Sequence, residues 1–373
     1  MNNKHPLTGR KSRAILMIVL AFVLCALMVV LAGCNEPATT TQEPEPEFKV
    51  PEGPADPTYG LNGETPTELS YFKYKEYEDG TIIITGTFVE ANDLKKIVIP
   101  AVIDGKKVAR VGESAFATLY RLEEIVFSGY IVDVQQYAFR DCRSLKTVKL
   151  SSCVARLHEG AFSGCRALTN LDFIVPAVKV LGSRIFEECA GLKTAVIPDT
   201  VEFVGSYTFL NCSYLDKVKL PAGITEIPDR MFQGCSALKT TTDSDNAFIV
   251  PATVTSIGEF AFQGCNIRYF TMSEGIVSIG QGAFSNNERV RDITLPSTVT
   301  SIGDTAFANC KMLNTLTLPV ADGAKLGKDL FVDSKKLATI NVKAGTNLAT
   351  YCSEWAETVK SLSDHVAITV NAQ

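Results

Sequence analysis

Histidine is scarce in this 373-residue chain. There are three, His5, His158 and His365, and no two are close enough in sequence to share a site. None has a Cys, Asp or Ser partner at a catalytic spacing. The patterns H-E-x-x-H, G-x-S-x-G and G-x-x-x-x-G-K-[ST] are missing, which removes three common routes to hydrolysis and phosphate chemistry. No C-x-x-C occurs among the 11 cysteines. Cysteines spread over separate repeats do not converge four ligands on one ion. Asp243-x-Asp245 lacks the other ligands and the closing Glu of a calcium loop. Neither a metal nor a cofactor is expected, nor is an enzyme, since regular coils offer flat surfaces rather than water-excluding pockets. Clustered positive charge is missing too. The net charge is −5, and removing the four cations Lys4, Arg10, Lys11 and Arg13 of the acid-free first 33 residues leaves −9. Nucleic acid is therefore not an expected partner.

What the chain does have begins with export. A basic stretch precedes Ala14–Ala32, an uncharged apolar run of 19 residues, closed by Leu31, Ala32, Gly33 and Cys34. This resembles a bacterial lipoprotein signal of residues 1–33. The resemblance implies cleavage before Cys34 and acylation of its thiol, which would tether the chain to a membrane. Uncleaved, the same run is long enough to span a bilayer. Residues 34–66 are rich in Pro, Glu and Thr, a composition that predicts a disordered, extended spacer. Residues 67–93 contain Leu69–Phe88, where aromatic and β-branched runs flank Asp79-Gly80. That pattern predicts a hairpin capping the first repeat.

From residue 94 to 343 one unit recurs. Val299–Pro319 displays its frame: Ile302, Gly303, Ala306-Phe307, Cys310, Leu313, Leu316, Leu318, Pro319. The frame Phe recurs at 116, 139, 162, 186, 209, 232, 262, 284, 307 and 331, at intervals of 22 to 24 residues with a single interval of 30. Such a period denotes a solenoid. L-x-x-[IVL]-x-[IVL] predicts a short strand with alternate residues inward. Pro marks its end. A second short extended piece follows, and A-F-x-x-C predicts a short helical or 3₁₀ piece whose Phe fills the space between layers.

This frame resembles the leucine-rich repeats of the BspA-like bacterial surface-protein family. The resemblance implies a mainly β fold, a right-handed β-solenoid with one parallel strand per repeat of roughly 23 residues in its main sheet. At about 4.8 Å per strand, the stack would be on the order of 50 Å long. Some members of that family attach to host matrix proteins or to other bacteria. The implied function is an adhesin-like, lipid-anchored, surface-exposed protein that binds a protein ligand as a monomer. A glycan-binding or structural envelope component is the alternative.

Several finer expectations follow. Seven cysteines sit three residues after the frame Phe, with Asn287 and Ser334 in the same slot, which predicts buried thiols at a site needing a small group rather than disulfides. The Gly slot holds Pro228 in one copy, which argues for tight packing rather than positive φ. The 30-residue interval contains an insertion between Leu238 and the strand starting at Phe248. In residues 344–373, Asn347–Leu362 predicts a helix carrying Tyr351 and Trp355 over the last coil, and residues 365–370 an added strand. In each main strand, the residue between the last two inward positions should face out: Val126, Lys149, Asp172, Val196, Lys219, Ile249, Thr271, Thr294, Thr317 and Asn341. Extended sheet faces are where solenoids bind. Lys149, Asp172, Lys219, Tyr269, Thr271, Thr294, Thr317 and Asn341 are the candidate face.

Overall fold

The computed structural model describes residues 49–241, 247–319, 323–344, 347–360 and 369–372. The apolar run and the lipobox, including Cys34, lie outside the described residues. Each coil of the repeat lays down two short strands. The Leu-rich segments pair in parallel along one side: Asp292–Thr294 with Thr315–Leu318, and that strand with Thr339–Val342. Ile293, Leu316 and Ile340 stand in register and are buried. The segments after the Pro pair along a second side, as in Ser256–Ile257, Ser278–Ile279 and Ser301–Ile302.

The third side is the A-F-x-x-C stretch, and it is not a helix. It is a chain of tight turns, with i to i+3 backbone bonds such as Leu210 N to Tyr207 O and Cys212 N to Phe209 O. Two residues per coil, two before and two after the Phe, take left-handed backbone, for example Tyr207 (φ 61°) and Asn211 (φ 59°). L-residues adopt that conformation at a cost of about 1–2 kcal/mol. Here it turns alternate N–H groups toward the next coil. Tyr207, Phe209 and Asn211 donate to the carbonyls of Asp229, Met231 and Gln233. This side is thus also hydrogen-bonded from coil to coil.

The ten frame phenylalanines are fully buried and form one stack through the solenoid. Phe284 and Phe307 are near-parallel, 5.6 Å apart and 5° between planes. Both ends of the stack finish on a perpendicular ring. Phe72 of the hairpin meets Phe116 at 87°, and Tyr351 of the C-terminal helix meets Phe331 at 68°. The hairpin, Phe72–Glu76 with Ile82–Thr87, pairs with Lys106–Val111 and so extends the second side. The helix spans Asn347–Lys360 and buries Cys352 and Ala356, and Thr369–Ala372 pairs beyond Thr339–Val342.

The cysteine slot needs more than smallness. Each ladder thiol donates to the carbonyl of the previous coil's frame Phe, as in Cys212 Sγ to Phe186 O (3.1 Å) and Cys310 Sγ to Phe284 O (3.2 Å). Asn287 Nδ2 donates to Phe262 O and Ser334 Oγ to Phe307 O in the same way. What Cys, Asn and Ser share is a donor for a buried carbonyl, which costs about 1–3 kcal/mol to leave unmet. Burial pushes the thiols of Cys142, Cys189, Cys310 and Cys352 up to about 12, and those of Cys165, Cys212, Cys235 and Cys265 also upward. The described cysteines are all free. A group with a raised pKa stays protonated below it, so at pH 8 these buried thiols carry essentially no nucleophilic thiolate. With the chain from Lys49 onward, we expect an aromatic disulfide reagent at pH 8 to titrate the half-buried Cys153 promptly, and the eight buried cysteines only after denaturation. Prompt reaction of several thiols in the native state would refute the ladder.

Three places depart from the frame. Between Lys149 and Thr194 the Leu-rich sheet is broken. There the side chain of Asn170 accepts from Asp172 N (3.2 Å), and Ile174 N bonds Leu171 O, so the chain turns where a strand is expected. The interval of 24 between Phe162 and Phe186 supplies the extra residue, and Phe173 packs against both. At the 30-residue interval, Thr240–Thr241 pairs with Lys217–Val218, while Phe248–Ile249 pairs with Phe270–Thr271. The insertion thus falls inside the coil's strand rather than before it. Finally, the spacer does not stay free up to Pro66. From Pro51 the chain packs on the first coils, with Leu61 buried between Val98 and Val126.

Candidate functional site

Alternation in the Leu-rich strands leaves one row of side chains pointing away from the core. In the C-terminal half that row is exposed at Thr271 and Thr294 and half-buried at Thr317, Asn341 and Asn371. Thr294, Thr317, Asn341 and Asn371 are register partners in successive strands. Asn341 Nδ2 donates to Thr317 Oγ1 (3.2 Å), and Asn371 Nδ2 to Asn341 Oδ1 (2.9 Å). Thr271 leads into this row through the backbone bridge between Tyr269 and Asp292, and both Tyr269 and Thr271 are exposed. The row is uncharged, three threonines followed by two asparagines. Asn371 is a member that the repeat frame could not reveal, because the frame ends before it.

The N-terminal half differs from the expected row. Val126 points outward but is only 3 % exposed, because Leu61 covers it. Lys149 is held by Glu64 (2.9 Å) and Glu124 (2.8 Å), and Lys219 by Asp199 (3.3 Å). Lys96 and Lys149 hold the Glu64 carboxyl below its usual range. Asp172 is exposed but sits in the turn described above, out of the sheet. Val196 and Ile249 are exposed apolar members of the row. The structure therefore gathers Tyr269, Thr271, Thr294, Thr317 and Asn341 on one face, and leaves Lys149, Asp172 and Lys219 apart from it.

Two other arrangements were invisible in the sequence. His158 and Asp133, 25 residues apart, meet at 2.6 Å on the second side, because they occupy neighbouring coils. On the turn side, left-handed positions stack Arg184 on Tyr207 (4.1 Å) and Arg230 on Phe260 (4.7 Å). These rings already have a guanidinium against a face. Among the described residues no group of three or more His, Cys, Asp or Glu could hold a metal ion. Two shallow depressions, of about 380 and 270 Å³, lie beside the cap (Lys73, Phe88, Val89) and beside Asp292 and Lys336. Neither contains a pair of facing carboxylates.

The sequence matches the profile of the BspA type leucine rich repeat region over residues 81–215, 134–249 and 241–358. A leucine-rich repeat protein from Bacteroides ovatus superposes with a TM-score of 0.65 at 22% identity, covering 74% of this chain and 70% of that one. A leucine-rich repeat protein from T. pallidum is 28% identical with a TM-score of 0.49, covering 54% and 89%. A leucine rich cell surface protein from Faecalibacterium prausnitzii is 20% identical with a TM-score of 0.41, covering 79% and 97%. Among curated proteins, nothing matches.

Proposed function

Starting from a chain that belongs to the BspA type leucine-rich repeat family, we propose that it is a surface-displayed, lipid-anchored binding protein of the adhesin kind, using its C-terminal sheet face. The observation that carries this reading is the outward-facing row Thr271, Thr294, Thr317, Asn341 and Asn371, exposed at its first two members and half-buried at the other three. A strip of this kind suits an extended or β-rich protein partner, because Thr and Asn offer both donors and acceptors along the whole length. Anchoring would come from acylated Cys34, with the Pro/Glu/Thr-rich residues after it as the tether. The glycan alternative draws less support. Sugars stack on open aromatic faces, and the Tyr207 and Phe260 faces are shared with arginines, as is that of Tyr269 with Arg268.

The test is capture of purified matrix proteins by the chain from Lys49 onward, the first of the described residues. Thr294→Arg with Thr317→Arg should reduce binding at least ~10-fold, the scale of about 1.4 kcal/mol. Ser278→Arg on the second side should leave binding unchanged. Binding to polysaccharide and to no protein would sink the adhesin reading. For the anchor, fatty-acid label should enter the parent chain and not Cys34→Ala, and the mature parent should begin at Cys34. A parent chain that is unlabelled, membrane-associated and still carries Ala14–Ala32 would favour an uncleaved span instead.

A further inference from the structure

Resting on the sheet-face reading above, we propose that the N-terminal end of that face is a peptide seat which the chain fills with its own residues 51–67. The partner that would take their place is an acidic peptide that folds into the same tight turns, with an aromatic and an aliphatic residue two apart and a carboxylate three residues on.

The seat is built in detail. Leu61 is 3 % exposed and lies between Val98 and Val126, the outward residues of the first two main strands. Tyr59 stacks on Tyr130, centroids 4.5 Å apart. Tyr59 O accepts from Gly129 N (2.8 Å). The approach there is so close that a Cβ on Gly129 would lie 2.2 Å from the Tyr59 ring, and one on Gly60 would lie 2.4 Å from Gly129 Cα. The Glu64 carboxylate spans the sheet, bonding Lys96 (2.8 Å) on the first strand and Lys149 (2.9 Å) on the third. Upstream, Tyr130 Oη donates to Pro54 O (3.2 Å) and accepts from Asp56 N (3.0 Å). These contacts specify a sequence pattern, Tyr59-x-Leu61-x-x-Glu64, in a segment whose composition would otherwise leave it unfolded.

The same contacts make the segment exchangeable. Residues 51–67 form no strand, and four prolines deny them the donors that a ladder needs. The ion pairs are partly exposed and therefore weak and screened by salt. One buried leucine, one stacked ring and a few hydrogen bonds, at Pro54, Asp56, Tyr59 and Thr67, oppose the entropy of ordering the whole segment. Segments held in that way open well before the core does. Departure would bare Val98, Val126 and Tyr130 beside Lys96 and Lys149. This apolar patch with two cations calls for an occupant of the same apolar and acidic chemistry.

The experiment uses the full chain and, as probe, a fluorescent synthetic peptide of residues 51–67. Leu61→Asp with Glu64→Lys should undock the segment while leaving the seat intact, with chymotrypsin cleavage at Tyr59 accelerating. That variant should bind the probe at least ten-fold more tightly than the parent. Adding Gly129→Ala, which drives a methyl into the ring site, should abolish the gain, and 0.5 M salt should weaken it. If the variant keeps its circular dichroism yet binds no more probe than the parent, or if Tyr59 stays protected, the proposal is wrong. Loss of matrix-protein capture by the Thr294/Thr317 variant is a separate readout, so failure of this seat and failure of the C-terminal face can be told apart.

Discussion

Phe209→Ala should destabilise the protein by about 3–5 kcal/mol, the range for emptying an aromatic from a closed core. Phe209 is fully buried and lies between Phe186 (5.9 Å) and Phe232 (5.7 Å), so the hole opens into both neighbouring coils. Relaxation is limited, because the backbone on either side is fixed by the Phe209 N to Met231 O and Phe186 N to Thr208 O bonds. In a solenoid each coil is stabilised only by its neighbours. A void in the middle is therefore expected to weaken coupling as well as stability, and to split one cooperative urea transition into two. Equilibrium unfolding followed by circular dichroism measures both. An unchanged midpoint would mean that the stack is not the core.

The second large effect concerns the glycine slot. A Cβ at Gly303 would stand 2.4 Å from Gln281 N and 2.7 Å from Gly280 C. Those are backbone atoms of the preceding coil, which cannot rotate away. Gly303→Ala should therefore force the coils apart locally and cost about 1–3 kcal/mol, as overpacking does. Gly223→Ala is the control: its Cβ meets nothing within 4 Å. It should be neutral within about half a kcal/mol. Neither glycine has positive φ, so conformational freedom is not a confounder. Equal melting temperatures for the two variants would remove close approach as the explanation.

These two positions also illustrate what the sequence could reveal. The Phe period and the Leu alternation are direct images of coil length and inward facing, so both sheet sides and the stack were legible. The Gly slot was readable through Pro228, because a proline there cannot share a positive φ with its siblings. Other features arise only when coils are superposed. The donor role of Cys212 depends on where Phe186 O falls, 26 residues earlier. The left-handed Tyr207 and Arg230 carry no Gly or Asn signal, since the coil-to-coil bonds rather than propensity impose that conformation. His158 meets Asp133 for the same reason. The candidate face was half legible. Its threonine part follows from alternation alone, whereas Asp172 was lost to the Asn170 turn, and Val126 to a segment whose proline content masked its three seated residues.

The perpendicular rings at Phe72 and Tyr351 give the stack two end plates that do not depend on how many coils lie between them. Length is thus an evolutionary variable separate from fold. Duplication of a whole interval would lengthen the binding strip by one rung, about 4.8 Å, with every ring, thiol and backbone bond finding its usual partner. Insertions of other lengths interrupt the ladder, as the 30-residue interval does between Thr241 and Phe248. Reach toward a partner can therefore be tuned in steps of one coil by gain or loss of whole repeats that share the frame, without redesign of either cap.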